Sequence, residues 1–185
     1  MTVIGVAIAI PEPWGQRLQA LRVSFGDAAA GSIPTHITLV PPTDIEDPVD
    51  VVESHLADVA ATHQRFTLRL RGTATFRPVS PVVFVCVVEG ISSCELLANE
   101  ARQGPLKQEL TFPYHPHVTV AHHLSEAALD QAYQTLGDFD CSFEVDSFGL
   151  YVHGVDGVWR SIRAYRLAGQ LPACADGSRS PASGT

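Results

Sequence analysis

The chain has 185 residues, a formal net charge of −8 and a hydrophobic fraction of 45%. This length suits one domain, or two closely packed lobes, with a sizeable core. The acidic balance argues against a surface that grips long nucleic acid by its phosphates, so we expect no binding to DNA. A small phosphate ligand or an RNA end needs positive charge only locally, and four arginines cluster between residues 65 and 77.

The cysteines and the N-terminus indicate the compartment. Cys86, Cys94, Cys141 and Cys174 show no Cys-x-x-Cys spacing, which favours reduced thiols. Residues 1–10 are apolar without a basic leader and run into prolines, so they predict a buried strand and not a signal peptide. No apolar run has membrane-spanning length. We expect a cytoplasmic monomer without membrane attachment.

The first half of the chain predicts the order strand, helix, strand, helix, strand. A strand over residues 2–10 is followed by a helix that opens at Glu12-Pro13-Trp14 and ends near Gly26. An apolar strand begins at Thr35, and Pro41-Pro42 is predicted to end it. A second helix starts at Asp47-Pro48, and from Arg65 the apolar positions alternate with a period of two, which is typical of a half-buried strand.

The second half repeats this order. Residues 81–88 predict a buried strand, and Ser92 with Glu95 forms a predicted capping box at the start of a helix. A strand near Pro116, a helix from Leu124-Ser125-Glu126 and an alternating strand from Cys141 follow. Residues 150–153 and 158–167 predict a hairpin. We therefore expect a bilobal domain over residues 1–168, with pseudo-repeats at about 2–77 and 81–153, and a disordered tail at 169–185.

The two halves share a His-x-Thr motif on a predicted buried strand. His36 and Thr38 lie on one face of the first strand, and His117 and Thr119 lie on one face of the second. A polar pair on an apolar strand costs free energy unless it has partners or faces a cleft. Two such pairs suggest a single cleft with a matched wall on each side.

This duplicated α+β chain resembles the 2H phosphoesterase superfamily and, more narrowly, its bacterial 2′-5′ RNA ligase and RNA 2′,3′-cyclic phosphodiesterase branch. The resemblance covers about residues 2–167 and rests on His36-Ile37-Thr38-Leu39 and His117-Val118-Thr119-Val120. It implies two antiparallel or mixed β-sheets that flank a central cleft, with helices on the outside. It also implies an enzyme that acts on 2′,3′-cyclic phosphates or 2′-5′ linkages of nucleotides or RNA ends, without a metal or cofactor.

The chemistry is consistent with what the resemblance implies for the site. Hydrolysis of a cyclic phosphate needs a base for the attacking water and an acid for the leaving ribose oxygen, and two imidazoles with ordinary pKa values near ~6.5 can supply both. His36 and His117 are accordingly the predicted catalytic residues. Thr38 and Thr119 are predicted to bind the phosphate oxygens, where charge accumulates. Which histidine is the base is left open.

One position departs from the family pattern. Many relatives carry an arginine a few residues beyond the second motif, where this chain has His122 followed by His123. We assign His122 to substrate binding, with Arg77, Arg102 or Arg163 as candidates to replace the arginine. Four aromatic residues could stack on a nucleobase or else belong to the core: Phe112, Tyr114, Tyr151 and Trp159. Of these we assign Tyr114 to substrate binding.

Two other functions stay open at this point. His115, His117, His122 and His123 could form the ligand cluster of a metal-dependent hydrolase, although the sequence shows no carboxylate or distant histidine in a recognisable frame. Alternatively, the fold could bind nucleotides without turnover. Hydrolysis of 2′,3′-cyclic nucleotides in excess chelator distinguishes the three hypotheses.

Overall fold

A computed structural model describes residues 2–169, so all of the predicted tail except Gly169 lies outside the described residues, and Cys174 with it. Within them the chain forms eight strands, four helices and two short 3₁₀ turns. The strands are β1 (Thr2–Ala9), β2 (His36–Ile45), β3 (Phe66–Thr75), β4 (Val82–Glu89), β5 (His117–His122), β6 (Asp140–Val145), β7 (Ser147–His153) and β8 (Trp159–Arg166). The helices are α1 (Trp14–Ser24), α2 (Val49–Thr62), α3 (Ile91–Ala101) and α4 (Glu126–Thr135).

The strands form a curled antiparallel sheet in the order β6-β3-β4-β5-β2-β1-β7-β8. Its two four-stranded halves meet at the centre, where β2 and β5 pair through Ile37 and Val118. The predicted α+β fold is confirmed, and the two expected sheets are continuous with each other at this pair. Because β2 and β5 pair at one residue each, the strands diverge on both sides of it and leave an open cleft.

Each half of the sheet takes strands from both halves of the chain. β3 pairs with β4 and β6, whereas β7 pairs with β1 and β8. The helices cross over in the same way, since α1 packs against β5 and α3 packs against β2. The two lobes are therefore interleaved along the sequence.

The core lies between the sheet and the helices. Strand alternation predicted that the residues next to the histidines and threonines of the two motifs point inward. They are fully buried in this core: Ile37, Leu39, Val118 and Val120. Most of the remaining core is aliphatic. None of the helices that the structure describes has the length and apolar character needed to cross a membrane.

Two local predictions are wrong. Pro41-Pro42 does not end β2, which continues to Ile45. The two prolines lie between Val40 and Thr43, where the pairing of β2 with β1 shifts register. At such a shift the sheet needs no backbone N–H from them, and proline has none to give. Ser92 does not cap α3. The N-cap is Gly90, two residues before Ser92, and its φ of 85° turns the chain out of β4 directly into the helix, which starts at Ile91.

Candidate active site

The polar side chains of the two motifs form a four-membered cluster around the Ile37–Val118 pair. In an antiparallel pair centred on these residues, His36 lies opposite Thr119 and Thr38 lies opposite His117. Ile37 and Val118 point into the core, so their four neighbours project from the other face, into the cleft. Directly opposite side chains start about 5 Å apart. We call these four side chains the motif cluster; its two imidazoles occupy diagonal corners.

The same local contact orients each histidine ring. Nδ1 of His36 lies 2.7 Å from the carbonyl oxygen of Pro34, and Nδ1 of His117 lies 2.7 Å from that of His115. A carbonyl oxygen can only accept, so each Nδ1 carries a proton and donates it. In the neutral ring, Nε2 then keeps a free lone pair. Each ring can therefore take or give a proton at Nε2.

Burial lowers the pKa of both histidines below the ordinary value of 6.5. For His36, desolvation is the main cause, the hydrogen bond to Pro34 opposes it, and the charge of Arg22 adds to it. For His117, desolvation again dominates, the bond to His115 opposes it, and the charges of His115 and His36 lower the pKa further. The expectation that both histidines keep ordinary pKa values is therefore wrong. Burial removes water, which disfavours the charged imidazolium and favours the neutral imidazole.

Beside His36 and Thr38, the cleft deepens into a cavity of about 130 Å³. Its floor consists of small residues of β1, since Ala9 is paired with His36 and Ala7 is paired with Thr38. We call it the small-residue cavity. Its lining includes Gly5, Ala7, Ala9, Pro34, Tyr151 and Trp159.

Beside His117 and Thr119, the corresponding space is filled. Phe84 of β4 is paired with Thr119. Phe76 packs on Phe84 with the ring centroids 4.4 Å apart, and each phenylalanine ring centroid lies 5.0 Å from that of His117. This wall holds the His117 ring in an apolar setting, in line with its lowered pKa.

A second cavity, of about 440 Å³, adjoins the motif cluster at His36 and Thr119. A register shift in the pairing of β4 with β5 inserts Val120 between Thr119 and Ala121, which places His122 on the face of Thr119. The rings of His122 and His123 stack with centroids 3.8 Å apart, and His123 adopts a left-handed φ of 53°. Burial and the neighbouring His123 lower the pKa of His122.

Arg22 also lines this second cavity, and the sequence reasoning missed it. Its guanidinium is buried, pairs with Asp27 at 2.9 Å and donates to the carbonyl oxygen of Ile33 at 2.7 Å. The signal was present in the helix pattern: Arg22 follows Leu18 by four residues and therefore lies on the buried stripe of α1. A charged residue on such a stripe needs a partner and often marks a site.

Tyr114, a predicted substrate-binding residue, packs against the core beside the end of α3 and does not line either of the two cavities. Its hydroxyl donates to the carbonyl oxygen of Thr38 at 2.9 Å, and the Arg102 guanidinium covers its ring at 4.8 Å. It thereby ties the segment before the second motif to the backbone of the first.

The other candidate arginines are engaged by acidic residues. Arg77 binds Glu126 and Asp130, and Arg163 binds Glu53. The remaining arginines of the 65–77 cluster also form ion pairs, with Asp140 and Glu144. This cluster is therefore not a free basic patch.

The four histidines of the proposed metal cluster fall into two pairs. His115 packs beside His117 and Phe84, whereas His122 and His123 stack on each other. Across residues 2–169, no three His, Cys, Asp or Glu side chains converge in a way that could hold a metal ion.

Comparisons with known proteins agree on the family. The sequence model of the 2′-5′ RNA ligase superfamily matches residues 10–157. A protein of Bacillus thuringiensis (strain Al Hakam) named "Putative phosphoesterase" is 28% identical over 167 residues, which cover 89% of this chain and 96% of that protein. A Bacillus cereus (strain Q1) protein of the same name matches with the same figures.

Solved structures share the fold. Escherichia coli LigT complexed with 3′-AMP superposes with a TM-score of 0.62 at 22% identity, covering 90% of this chain and 97% of LigT. TT0787 of Thermus thermophilus superposes with a TM-score of 0.62 at 20% identity, covering 92% of this chain and all of TT0787.

Proposed function

Because the chain belongs to the 2′-5′ RNA ligase superfamily, we propose that it is a metal-independent phosphodiesterase that acts on 2′,3′-cyclic phosphates or 2′-5′ linkages of nucleotides and RNA ends. The observation that carries the proposal is the diagonal placement of His36 and His117 around one small space, each with its Nδ1 proton donated to a backbone carbonyl. Two proton carriers on opposite sides of one centre suit in-line displacement at phosphorus.

In the proposed reaction, the phosphate lies within the motif cluster. The hydroxyls of Thr38 and Thr119 donate to its non-bridging oxygens, where negative charge accumulates in the transition state. One imidazole, neutral at Nε2, accepts a proton from water as the water oxygen bonds to phosphorus. The other, protonated at Nε2, donates a proton to the ribose oxygen as its bond to phosphorus breaks. The product is a ribose phosphomonoester, and the two histidines have exchanged protonation states.

The magnitude of the effect is consistent with two general acid–base groups. Each positioned imidazole contributes roughly 10²–10⁴-fold to the rate. The acid must be protonated although burial lowers both pKa values. The bound phosphate anion supplies the missing stabilisation, because a nearby negative charge favours the imidazolium form.

The solved relatives support a phosphate-containing ligand. LigT has been crystallised with 3′-AMP and, separately, with phosphate. A nucleoside monophosphate is the kind of product that opening a 2′,3′-cyclic nucleotide yields.

The test is hydrolysis of nucleoside 2′,3′-cyclic phosphates in excess chelator. We expect chelator-insensitive turnover, and we expect His36→Ala and His117→Ala each to lower kcat by at least about 100-fold while the far-UV circular dichroism stays unchanged. His63→Ala is the matched control, because His63 bonds Glu100 between α2 and α3, on the helical side of the sheet. Activity lost with chelator would favour the metal enzyme, and binding without turnover would favour the binding module.

A further inference from the structure

The approximate symmetry of the motif cluster is broken one strand further out. A two-fold rotation about the Ile37–Val118 pair exchanges β2 with β5 and β1 with β4. It relates Ala7, the β1 partner of Thr38, to Phe84, the β4 partner of Thr119. One side of the cleft is therefore hollow where the other side is filled by an aromatic ring.

The hollow side has room for one planar ring. The small-residue cavity measures about 130 Å³, and an apolar cavity of about 150 Å³ is known to bind benzene. It opens directly beside His36 and Thr38, within reach of a group attached to a phosphate in the motif cluster. On the opposite side, Phe84 and Phe76 occupy the related position.

Two glycines allow aromatic rings to wall this cavity. A methyl group added at Gly5 would lie 3.2 Å from Cζ3 of Trp159, so the indole rests on the bare α-carbon of Gly5. In the same way, the ring of Tyr151 rests on Gly149, where an added methyl group would lie 2.8 Å from Cε2. The Trp159 backbone N–H donates to the carbonyl oxygen of Ser32 at 3.3 Å, which ties the start of β8 to the loop before β2.

The residues that line the small-residue cavity indicate what kind of ligand it can bind. The lining is mainly apolar, and its polar side chains include those of His36 and Thr38 of the motif cluster, with Thr35 and Tyr151. Trp159 lines a cavity large enough for one ring, and an indole there favours a flat heteroaromatic group through stacking. Among the described residues that line the cavity, none carries an acidic side chain that would repel an anion attached to that group.

We propose that the small-residue cavity binds the nucleobase of the substrate, with Trp159 as its stacking surface. The proposal rests on the proposed function and adds the orientation of the substrate. The nucleoside lies on the His36 side of the motif cluster, and the Phe84 side does not accept it.

Substrates with and without a base test this assignment. We expect Trp159→Ala to lower kcat/KM for cytidine 2′,3′-cyclic phosphate about 10-fold or more. Hydrolysis of ribose 2′,3′-cyclic phosphate, which lacks a base, should stay within about two-fold of the wild type because nothing stacks on Trp159. Ala7→Leu, which fills the cavity as Phe84 fills the other side, should give the same selective loss. Tyr133→Ala removes an aromatic ring on α4 that is 41% exposed and lines neither cavity, and it should change the hydrolysis of neither substrate.

Fluorescence tests the cavity without turnover. The chain has two tryptophans, so Trp14→Phe in a His117→Ala background leaves Trp159 as the reporter. Titration with cytidine 3′-phosphate should change its emission saturably, and ribose 5-phosphate should not. Equal losses on both cyclic substrates, no loss on either, or unchanged emission would overturn the nucleobase assignment. If the wild type hydrolyses neither substrate while the nucleotide still changes the emission, the proposed function fails and the cavity assignment stands.

Discussion

His36 faces Thr119 across the two central strands, so each His-x-Thr motif places its imidazole next to the hydroxyl of the other motif. The motif cluster is thus shared between strands that lie in different halves of the chain. Its four groups are expected to act as one unit on a single phosphate.

Removal of either hydroxyl should slow the chemical step. We expect Thr38→Val and Thr119→Val each to lower kcat by about 10²-fold with a smaller change in KM, because a hydroxyl aimed at a developing oxyanion acts mainly in the transition state. Steady-state kinetics on a nucleoside 2′,3′-cyclic phosphate measures both constants. Thr119→Ser keeps the hydroxyl and should recover most of the rate; a serine variant as slow as the valine variant would contradict this role.

The rate should peak on the acidic side of pH 6.5. In the free enzyme, the active form has one neutral and one protonated histidine, and it is populated between two pKa values that burial holds below 6.5. The profile of kcat/KM should therefore be bell-shaped and should fall as the pH rises to neutrality, because the acid loses its proton. The kcat profile should shift to higher pH, since bound phosphate favours the imidazolium. A kcat/KM optimum above pH 7 would refute the pKa directions.

Breaking the buried pair of Arg22 and Asp27 should strongly destabilise the fold. Their side chains are 6% and 5% exposed, and removing one partner of such a pair leaves a buried charge unpaired. We expect Arg22→Met to lower the free energy of unfolding by about 3 kcal/mol, measured by urea denaturation. Asp27→Asn combined with Arg22→Met should recover part of this loss, because the amide is neutral and its oxygen can still accept from Ala29. A double variant less stable than Arg22→Met would argue against the ion pair as the cause.

Two left-handed glycines separate backbone strain from steric contact. Gly26 and Gly90 have left-handed φ values of 91° and 85°. A methyl group added at Gly26 meets no atom of the described chain beyond its two neighbouring residues within 4 Å. One added at Gly90 lies 2.6 Å from the Thr67 carbonyl oxygen. We expect Gly26→Ala to cost about 1 kcal/mol of unfolding free energy, from conformation alone. Gly90→Ala should cost at least about 2 kcal/mol more, since the main chain of β3 must move. Equal losses in urea denaturation would show that the contact relaxes freely.

Local patterns predicted much of the cleft correctly. Alternation along a strand depends only on neighbouring residues, so His36 and Thr38 could be assigned to one face and Ile37 to the core before any pairing was known. The start of α4 was equally local, because Ser125 accepts from the Ala128 N–H as its helix cap.

Features that depend on distant partners could not be predicted in this way. The extra residue Val120, which moves His122 to the cleft face, is defined only by the pairing of β5 with β4. The continuation of β2 through two prolines likewise depends on the register of β1. Arg22 lies beside His36 because α1 packs on the strand of the other motif, an exchange that no local pattern encodes.

The interleaving of β3 and β7 has a consequence for how the polypeptide could be divided. A piece that ends in the turn between β3 and β4 carries β3 away from both of its neighbours and leaves β1 without β7. Neither fragment could close a core of its own. Co-expressed, however, the two should reassemble by complementation, because β3 of the first fragment pairs with β4 and β6 of the second, and β7 of the second pairs with β1 of the first. The proposed phosphodiester cleavage would be restored only in the mixture.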